Sequence, residues 1–366
     1  MDWWRKKKNK KKQILERGKQ ILERGAMLLE DLIECCDGKS NPIKFFSAHE
    51  ILNATDNFSD SNRVSELSYI DYRWYSGKNE NQQGILISRF NRYREGTFCR
   101  DIAVSSIVSG HKNFVKLVGC CLEFEDPVLV FHGVKKHYEL DVRKEPWKRR
   151  MKIAEYIATA LSYLHTAFPR PFVYRCLIIG NIFLDEDGVA KLIDFSHCLL
   201  IPKGETFVKV DRAVAFYGTD YKYMKSGVVS EKTDVFDFGI LLLTLLVGKR
   251  NLSSFFNLQE ESFSRYVPHW RFNFLEELTM DEIADPEMLE KICAISEQGL
   301  TQMNAFRMLS LRCVGRKGEV PTMVEVAKEL KKIQRSLNHD SSSPSGETQF
   351  DSPQVISSSV LLSNQT

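Results

Sequence analysis

The sequence predicts an α+β fold of two lobes, strand-rich first and helical afterwards. Short apolar runs bounded by polar and turn residues, at 84–87 and 128–131, have the length and composition of strands. Helical stretches follow them: Ile153, Ile157, Ala160, Leu161 and Leu164 recur at spacings of three and four, as do Val324, Ala327, Leu330 and Ile333. Strands gathered before helices, instead of alternating with them, are the order of an α+β chain. With 366 residues, 43% of them hydrophobic, there is material for two lobes and a sizeable core.

Several classes are disfavoured at once. The longest apolar run, residues 238–247, falls far short of the ~20 residues of a membrane helix and reads as a buried core helix. The N-terminus is basic but lacks the apolar stretch of a secretory signal, and Asp2 stands where myristoylation requires Gly. Nine cysteines form no spaced framework; the pairs Cys35-Cys36 and Cys120-Cys121 lack zinc-ligand spacing. They read as small buried hydrophobes in a reducing, intracellular setting.

The formal charge of +3 is unevenly placed. Residues 1–30 hold ten Lys/Arg against four Asp/Glu, a net of +6, while the last 29 residues carry three acids and no Lys/Arg. The body is near neutral, so nucleic acid is not an expected partner. Residues 1–45 read as a basic arm: Trp3-Trp4, seven cations within 5–12, then Gln13-Ile14-Leu15-Glu16-Arg17-Gly18 repeated as Gln20-Ile21-Leu22-Glu23-Arg24-Gly25. Period seven, extended by Leu28, Leu29 and Leu32, predicts an amphipathic helix, weakened at each Gly by about 1 kcal/mol. It could pack on its own domain, meet a partner helix, or contact an anionic membrane through residues 5–12. Residues 46–337 form the body, with lobes at about 46–133 and 134–337; residues 338–366, rich in Ser, read as a disordered tail.

The body carries six ordered motifs. Phe45-Phe46-Ser47 through Thr55-Asp56-Asn57-Phe58-Ser59 resembles the lead-in to plant receptor-like kinase domains. His111-Lys112-Asn113 with Val115-Lys116-Leu117-Val118-Gly119-Cys120-Cys121 resembles the stretch after the N-lobe helix. Asn181-Ile182-Phe183-Leu184-Asp185 and Lys191-Leu192-Ile193-Asp194-Phe195 are similar to the end of the catalytic loop and the metal-binding motif. Asp234-Val235-Phe236-Asp237-Phe238-Gly239 and Pro321-Thr322-Met323 resemble two later landmarks. Together they identify a protein-kinase fold from about Phe46 to Leu337, and function must then be argued at the site.

At that site the resemblance implies losses. The three glycine positions of the nucleotide loop fall on Leu67, Tyr69 and Tyr72, whose side chains would block close backbone approach to phosphates. Trp74 stands where a Val usually covers adenine, and Phe131 and His132 fall at the hinge. The lysine position of the third strand holds Ser88; Arg89 points to the other face by strand alternation, and Lys78 on the preceding strand is a possible substitute. The glutamate position of the N-lobe helix falls on Asp101. Cys176 replaces the catalytic base and Ile178 the phosphate-contacting lysine; loss of a general base alone costs about 10²–10⁴-fold. A thiol with a pKa near 8.5 is mostly neutral at pH 7, and no neighbouring His in the sequence makes Cys176 a nucleophile. Asn181 and Asp194, the magnesium ligands of the family, remain, so weak ATP and magnesium binding stays open although no cofactor is required. Val320 replaces the Arg that would pair with the Glu of a motif also absent near Asp220.

The Trp-Trp-Arg-Lys-Lys start, Ser47-Ala48, Ala54-Thr55 and Gly110-His111-Lys112-Asn113 resemble the plant receptor-like cytoplasmic pseudokinases of the ZED-related family. That resemblance implies an adaptor in immunity. Its partners would be a coiled-coil nucleotide-binding leucine-rich-repeat receptor and effector-modified receptor-like cytoplasmic kinases. The alternatives are a residual kinase and a membrane-tethered scaffold. A segment of near-normal activation-loop length, carrying Phe207, Lys209, Arg212 and Phe216, has the aromatic and cationic mixture of a binding surface.

Overall fold

The computed structural model describes residues 2–36, 43–64, 72–90, 97–133, 138–210, 219–248, 266–267, 272, 274–293 and 297–335. The nucleotide-loop positions Leu67 and Tyr69, the segment residues Arg212 and Phe216, and the tail from 338 lie outside the described residues.

The chain opens with α1 (Asp2–Cys36), then β1 (Lys44–Phe45), α2 (Ala48–Ala54), β2 (Tyr72–Lys78), β3 (Gly84–Phe90), α3 (Thr97–Val108), β4 (Leu117–Cys121) and β5 (Val128–His132). Five strands form one sheet in the order β1-β4-β5-β3-β2, antiparallel except for the β1–β4 pair. Both faces are covered, which is why the strands read as continuous apolar runs. Tyr75, Ile85, Ile87, Val128 and Val130 pack on one face with Phe46 and Ile51. Trp74, Leu86, Leu129 and Phe131 face the other way, toward Phe98 and Ile102 of α3 and Leu28 of α1. Ser47 starts α2 with a capping box, its Oγ accepting from Glu50 N at 3.2 Å while Glu50 Oε2 accepts from Ser47 N at 2.7 Å.

Two of the alternatives for the basic arm divide along its length. Its C-terminal third is docked: Leu28 is buried, and Arg24 donates to the carbonyls of Leu122 (3.0 Å), Phe124 (2.5 Å) and Glu125 in the β4–β5 turn. Arg100 of α3 reaches back to Asp31 at 2.7 Å and Glu34 at 2.5 Å. Residues 3–20 are exposed throughout.

The second lobe runs β6 (Tyr138–Glu139), α4 (Trp147–Thr166), β7 (Phe172–Val173), β8 (Ile182–Leu184), β9 (Ala190–Leu192), β10 (Leu199–Leu200), β11 (Val208–Lys209), β12 (Thr219–Asp220), α5 (Tyr221–Ser226), β13 (Val228–Val229), α6 (Glu231–Val247), β14 (Tyr266–Val267), α7 (Met280–Ile283), α8 (Pro286–Cys293), α9 (Glu297–Cys313) and α10 (Met323–Arg335). This is the α+β bilobal arrangement. All five apolar positions of the α4 periodicity are buried. Helix α6, apolar almost all round, is the central buried helix. It approaches α9 closely at Gly239, where a Cβ would stand 2.8 Å from Val314 Cγ1. There Ser310 Oγ donates to the Gly239 carbonyl at 2.8 Å. Arg150 is buried with Asp285 at 2.5 Å and also donates to the carbonyls of Leu245 and Glu145, which satisfies a charge that would be costly alone. On α10 the buried face is Met323, Val326, Leu330 and Ile333, while Val324 and Ala327 are half-buried at its margin. Cys35, Cys36, Cys99, Cys120, Cys121, Cys176, Cys198 and Cys313 are buried, and none of them is in a disulfide.

Candidate functional site

The catalytic loop between β7 and β8 hangs on Asp234 of α6. This carboxylate is fully buried and accepts from Tyr174 N (2.8 Å), Arg175 N (2.8 Å) and His165 Nε2 (2.8 Å). Those bonds hold Arg175 in a left-handed backbone, φ 65°, and aim its guanidinium at Tyr223 Oη (2.6 Å) and the His197 carbonyl (3.1 Å). Tyr174 Oη donates to the Ile193 carbonyl at 2.5 Å, tying the loop to the metal-binding motif.

Above this anchor the chemistry is altered. Cys176 is 2% exposed, and burial, with the Asp194 charge next, pushes its thiol well above the ordinary range. It is a protonated thiol, neither a base nor a nucleophile. Asn181 turns its amide nitrogen to the Cys176 carbonyl and Sγ, both at 3.1 Å. Ile178 packs against the C-lobe core. Asp194, at φ 61°, accepts from Ser196 N (3.1 Å) and Ser196 Oγ (2.5 Å).

Asp101 from α3 is the unexpected neighbour. It accepts from Phe195 N at 3.0 Å and Ser105 Oγ at 3.1 Å. Burial, and then the charge of Asp194, raise its pKa to about 7. A family glutamate here would reach a lysine; Ser88, buried on β3, offers none.

The space over the site is filled by the chain itself. Trp74, at the position that covers adenine in the family, is 2% exposed and meets Phe183 of β8 edge-on at 5.1 Å and Phe131 of β5 at a tilt at 5.6 Å. Leu86 and Ile193 complete the cluster. One indole thus bridges the two lobes. Phe183 escaped notice in the sequence because a Phe after Asn-Ile looks like strand core; its meeting with Trp74, more than a hundred positions away, is a property of the fold. Of the two hinge positions, Phe131 is buried in this cluster, while His132 is exposed and its backbone N–H is spent on the Lys116 carbonyl at 2.9 Å. Tyr72 opens β2 opposite Phe90.

Lys78 is no substitute for the missing lysine. It pairs with Gly84 at the far end of β3, four positions along the ladder from the Trp74–Ser88 pair, and lines a groove with Glu50, Ala54 and Ile85. Arg89 turns to the face of Ile85 and Ile87, over the ring of Phe58 at 5.0 Å. Among the described residues no group of three or more His, Cys, Asp or Glu side chains is placed to hold a metal. The residues present do not fit a magnesium nucleotide: the adenine space is occupied by aromatic rings, Ser88 brings no charge to phosphate, and Asn181 and Asp194 are engaged with Cys176 and Ser196. Of the proposed surface segment, Phe207 is 47% exposed and Lys209 is exposed on β11, which pairs with β13.

A kinase-shaped scaffold around a site without catalytic groups defines the class, and comparison with known proteins places the chain in it. The profile described as "Protein kinase domain" matches residues 85–290, and the chain belongs to the protein kinase family. From Arabidopsis thaliana, "Inactive serine/threonine-protein kinase ZRK12" is 63% identical, covering 100% of this chain and 90% of that one. "Non-functional pseudokinase ZRK15" is 53% identical over 95% of this chain and 99% of its own length. "Non-functional pseudokinase ZED1" is 41% identical over 84% and 93% respectively. The chain is a pseudokinase and not an enzyme, as its altered site and its inactive relatives agree. No described helix is long and apolar enough to cross a membrane.

Proposed function

We propose that this pseudokinase is an adaptor of plant immunity, linking a coiled-coil nucleotide-binding leucine-rich-repeat receptor to effector-modified receptor-like cytoplasmic kinases. One observation carries the reading: the scaffold around Asp234 is fully bonded while the nucleotide space is filled by Trp74, Phe131 and Phe183. Such a molecule offers surfaces, not turnover. In this reading no ATP or magnesium is required. Lys209 and Phe207, exposed on and beside β11, belong to the face that recruits the second kinase, and Arg212 and Phe216 follow them in the same sequence segment.

The test is affinity purification of the tagged chain from plant tissue, with Lys209→Glu/Arg212→Glu as the comparison. The receptor is expected to co-purify with both forms and the second kinase with the parent alone. Phosphotransfer to generic substrates by the purified chain, or failure of any receptor to co-purify, would overturn the reading.

A further inference from the structure

The free two thirds of α1 is the largest feature the adaptor reading leaves unused. On a helix of 100° per residue, Trp4, Leu15, Leu22, Leu29 and Ile33 fall within about 40° of one another, a single seam along the helix. All five are exposed, from 57% for Ile33 to 76% for Leu15. Trp3 and Ile14, each 63% exposed, widen the strip on one side. Between them an added Cβ at Gly18 or Gly25 would meet nothing within 4 Å. Seven cations in residues 5–12 sit among and beside the tryptophans, with Lys7 Nζ 5.0 Å from the Trp3 ring and 5.9 Å from the Trp4 ring. The acids of this stretch, Glu16 and Glu23, lie away from the seam, Glu23 paired with Lys19 at 3.6 Å.

We propose that residues 3–22 lie in the surface of an anionic bilayer and seat the pseudokinase on it. Trp3, Trp4, Ile14, Leu15 and Leu22 enter the boundary between headgroups and acyl chains, and the cations of residues 5–12 meet lipid phosphate and carboxylate groups. Tryptophan favours that boundary, and lysines within the strip extend their ammonium groups outward along it. A strongly basic amphipathic helix of low overall hydrophobicity is the form that lies on a membrane without crossing it. A partner helix fits less well. Along the seam positions 8 and 11 are Lys and positions 18 and 25 are Gly, where a coiled coil wants apolar knobs. Nucleic acid would use the cations but not the apolar strip. From Trp3 to Leu22 the helix is about 30 Å long, and the docked residues from Arg24 onward fix the body at its far end.

The experiment is flotation of the full-length chain with vesicles of phosphatidylcholine alone and with phosphatidylserine added. Binding to the anionic vesicles is expected, roughly tenfold or more weaker on neutral ones and weakened again by raised salt. Reversing Lys6, Lys7 and Lys8 to Glu should abolish it, and Trp3→Ala/Trp4→Ala should reduce it about tenfold. These side chains are exposed, so the kinase-fold body stays intact. Absence of binding to anionic vesicles overturns the proposal, as does binding indifferent to lipid charge. A dimer that Leu15→Ser/Leu22→Ser dissolves would also overturn it, by assigning the seam to a second copy. None of these readouts needs the immune receptor, so this inference and the adaptor reading fail separately.

Discussion

Asp234 and the pair Asp101–Asp194 lie on either side of the loop at 174–176, and their surroundings could hardly differ more. Asp234 is fully buried and meets three N–H donors, two of them backbone. Asp101 feels the like charge of Asp194, and each is supplied with one backbone N–H and one hydroxyl. The first carboxylate organises the chain. The second pair stands where the lysine positions of the family hold Ser88 and Ile178 and offer no cation. A site that loses its chemistry keeps what folding uses, and the vacated volume is taken by apolar side chains, here Trp74 and Phe183.

The sharpest test sets equal substitutions against each other. Asp234→Ala should cost about 3–5 kcal/mol, since it strands buried donors, and should yield a chain that melts early or does not accumulate. Asp194→Ala should be near neutral or stabilising, because it relieves Asp101 of a like charge. Equal losses in chemical denaturation would erase the contrast.

Comparable in size is the aromatic bridge. Trp74→Ala should cost about 3–5 kcal/mol, the range for deleting a large buried ring. In the parent protein, millimolar magnesium ATP should leave the melting midpoint unchanged, since a ligand that does not bind the native state cannot stabilise it. A midpoint that climbs with ATP would show that the rings yield to nucleotide.

A smaller effect separates the two carboxylates by pH. The Asp101 pKa rises from 3.8 to about 7 on folding, so the folded state holds its proton more tightly than the unfolded chain. Its contribution is therefore complete below about pH 4 and is lost as pH rises toward 7. Asp101→Asn keeps an acceptor for Phe195 N and removes this dependence. It should raise the midpoint at pH 8 by several degrees and by less at pH 5. A uniform shift at both values would mean that Asp101 is ionised throughout.

Least of all should Cys176→Asp change activity. It restores one group while Ser88, Ile178 and the filled adenine space remain, so radiolabel transfer should stay at background. Measurable turnover would place the defect in one residue instead of the whole cleft.

Much of this was legible in the linear chain, for a reason particular to each part. Residues 153–164 declared a helix buried along one face by their periodicity, and 238–247 a wholly buried one by continuous apolar character. Ser88, Cys176 and Ile178 stood at motif positions whose spacing is rigid. What stayed hidden depended on contacts across long stretches of chain. The meeting of Trp74 with Phe183 and of Asp101 with Asp194 has no local signature. Helix α1 was ambiguous because its period-seven stripe holds two adjoining columns that the fold treats differently: Leu28, in line with Ile14 and Ile21, enters the core while Leu15, Leu22 and Leu29 stay outside it. Only the position of α3 and the β4–β5 turn decides where docking stops.

The ring of Trp74 against that of Phe183 has one further consequence. In a kinase whose cleft is open, closure awaits a nucleotide, and a partner that recognises the closed form pays for the fraction of time it is absent. Here the wedge between the lobes is covalently part of the chain and cannot dissociate. Any partner of this molecule would meet a single pre-set shape whatever the cell's energy charge, so recognition would be independent of metabolism.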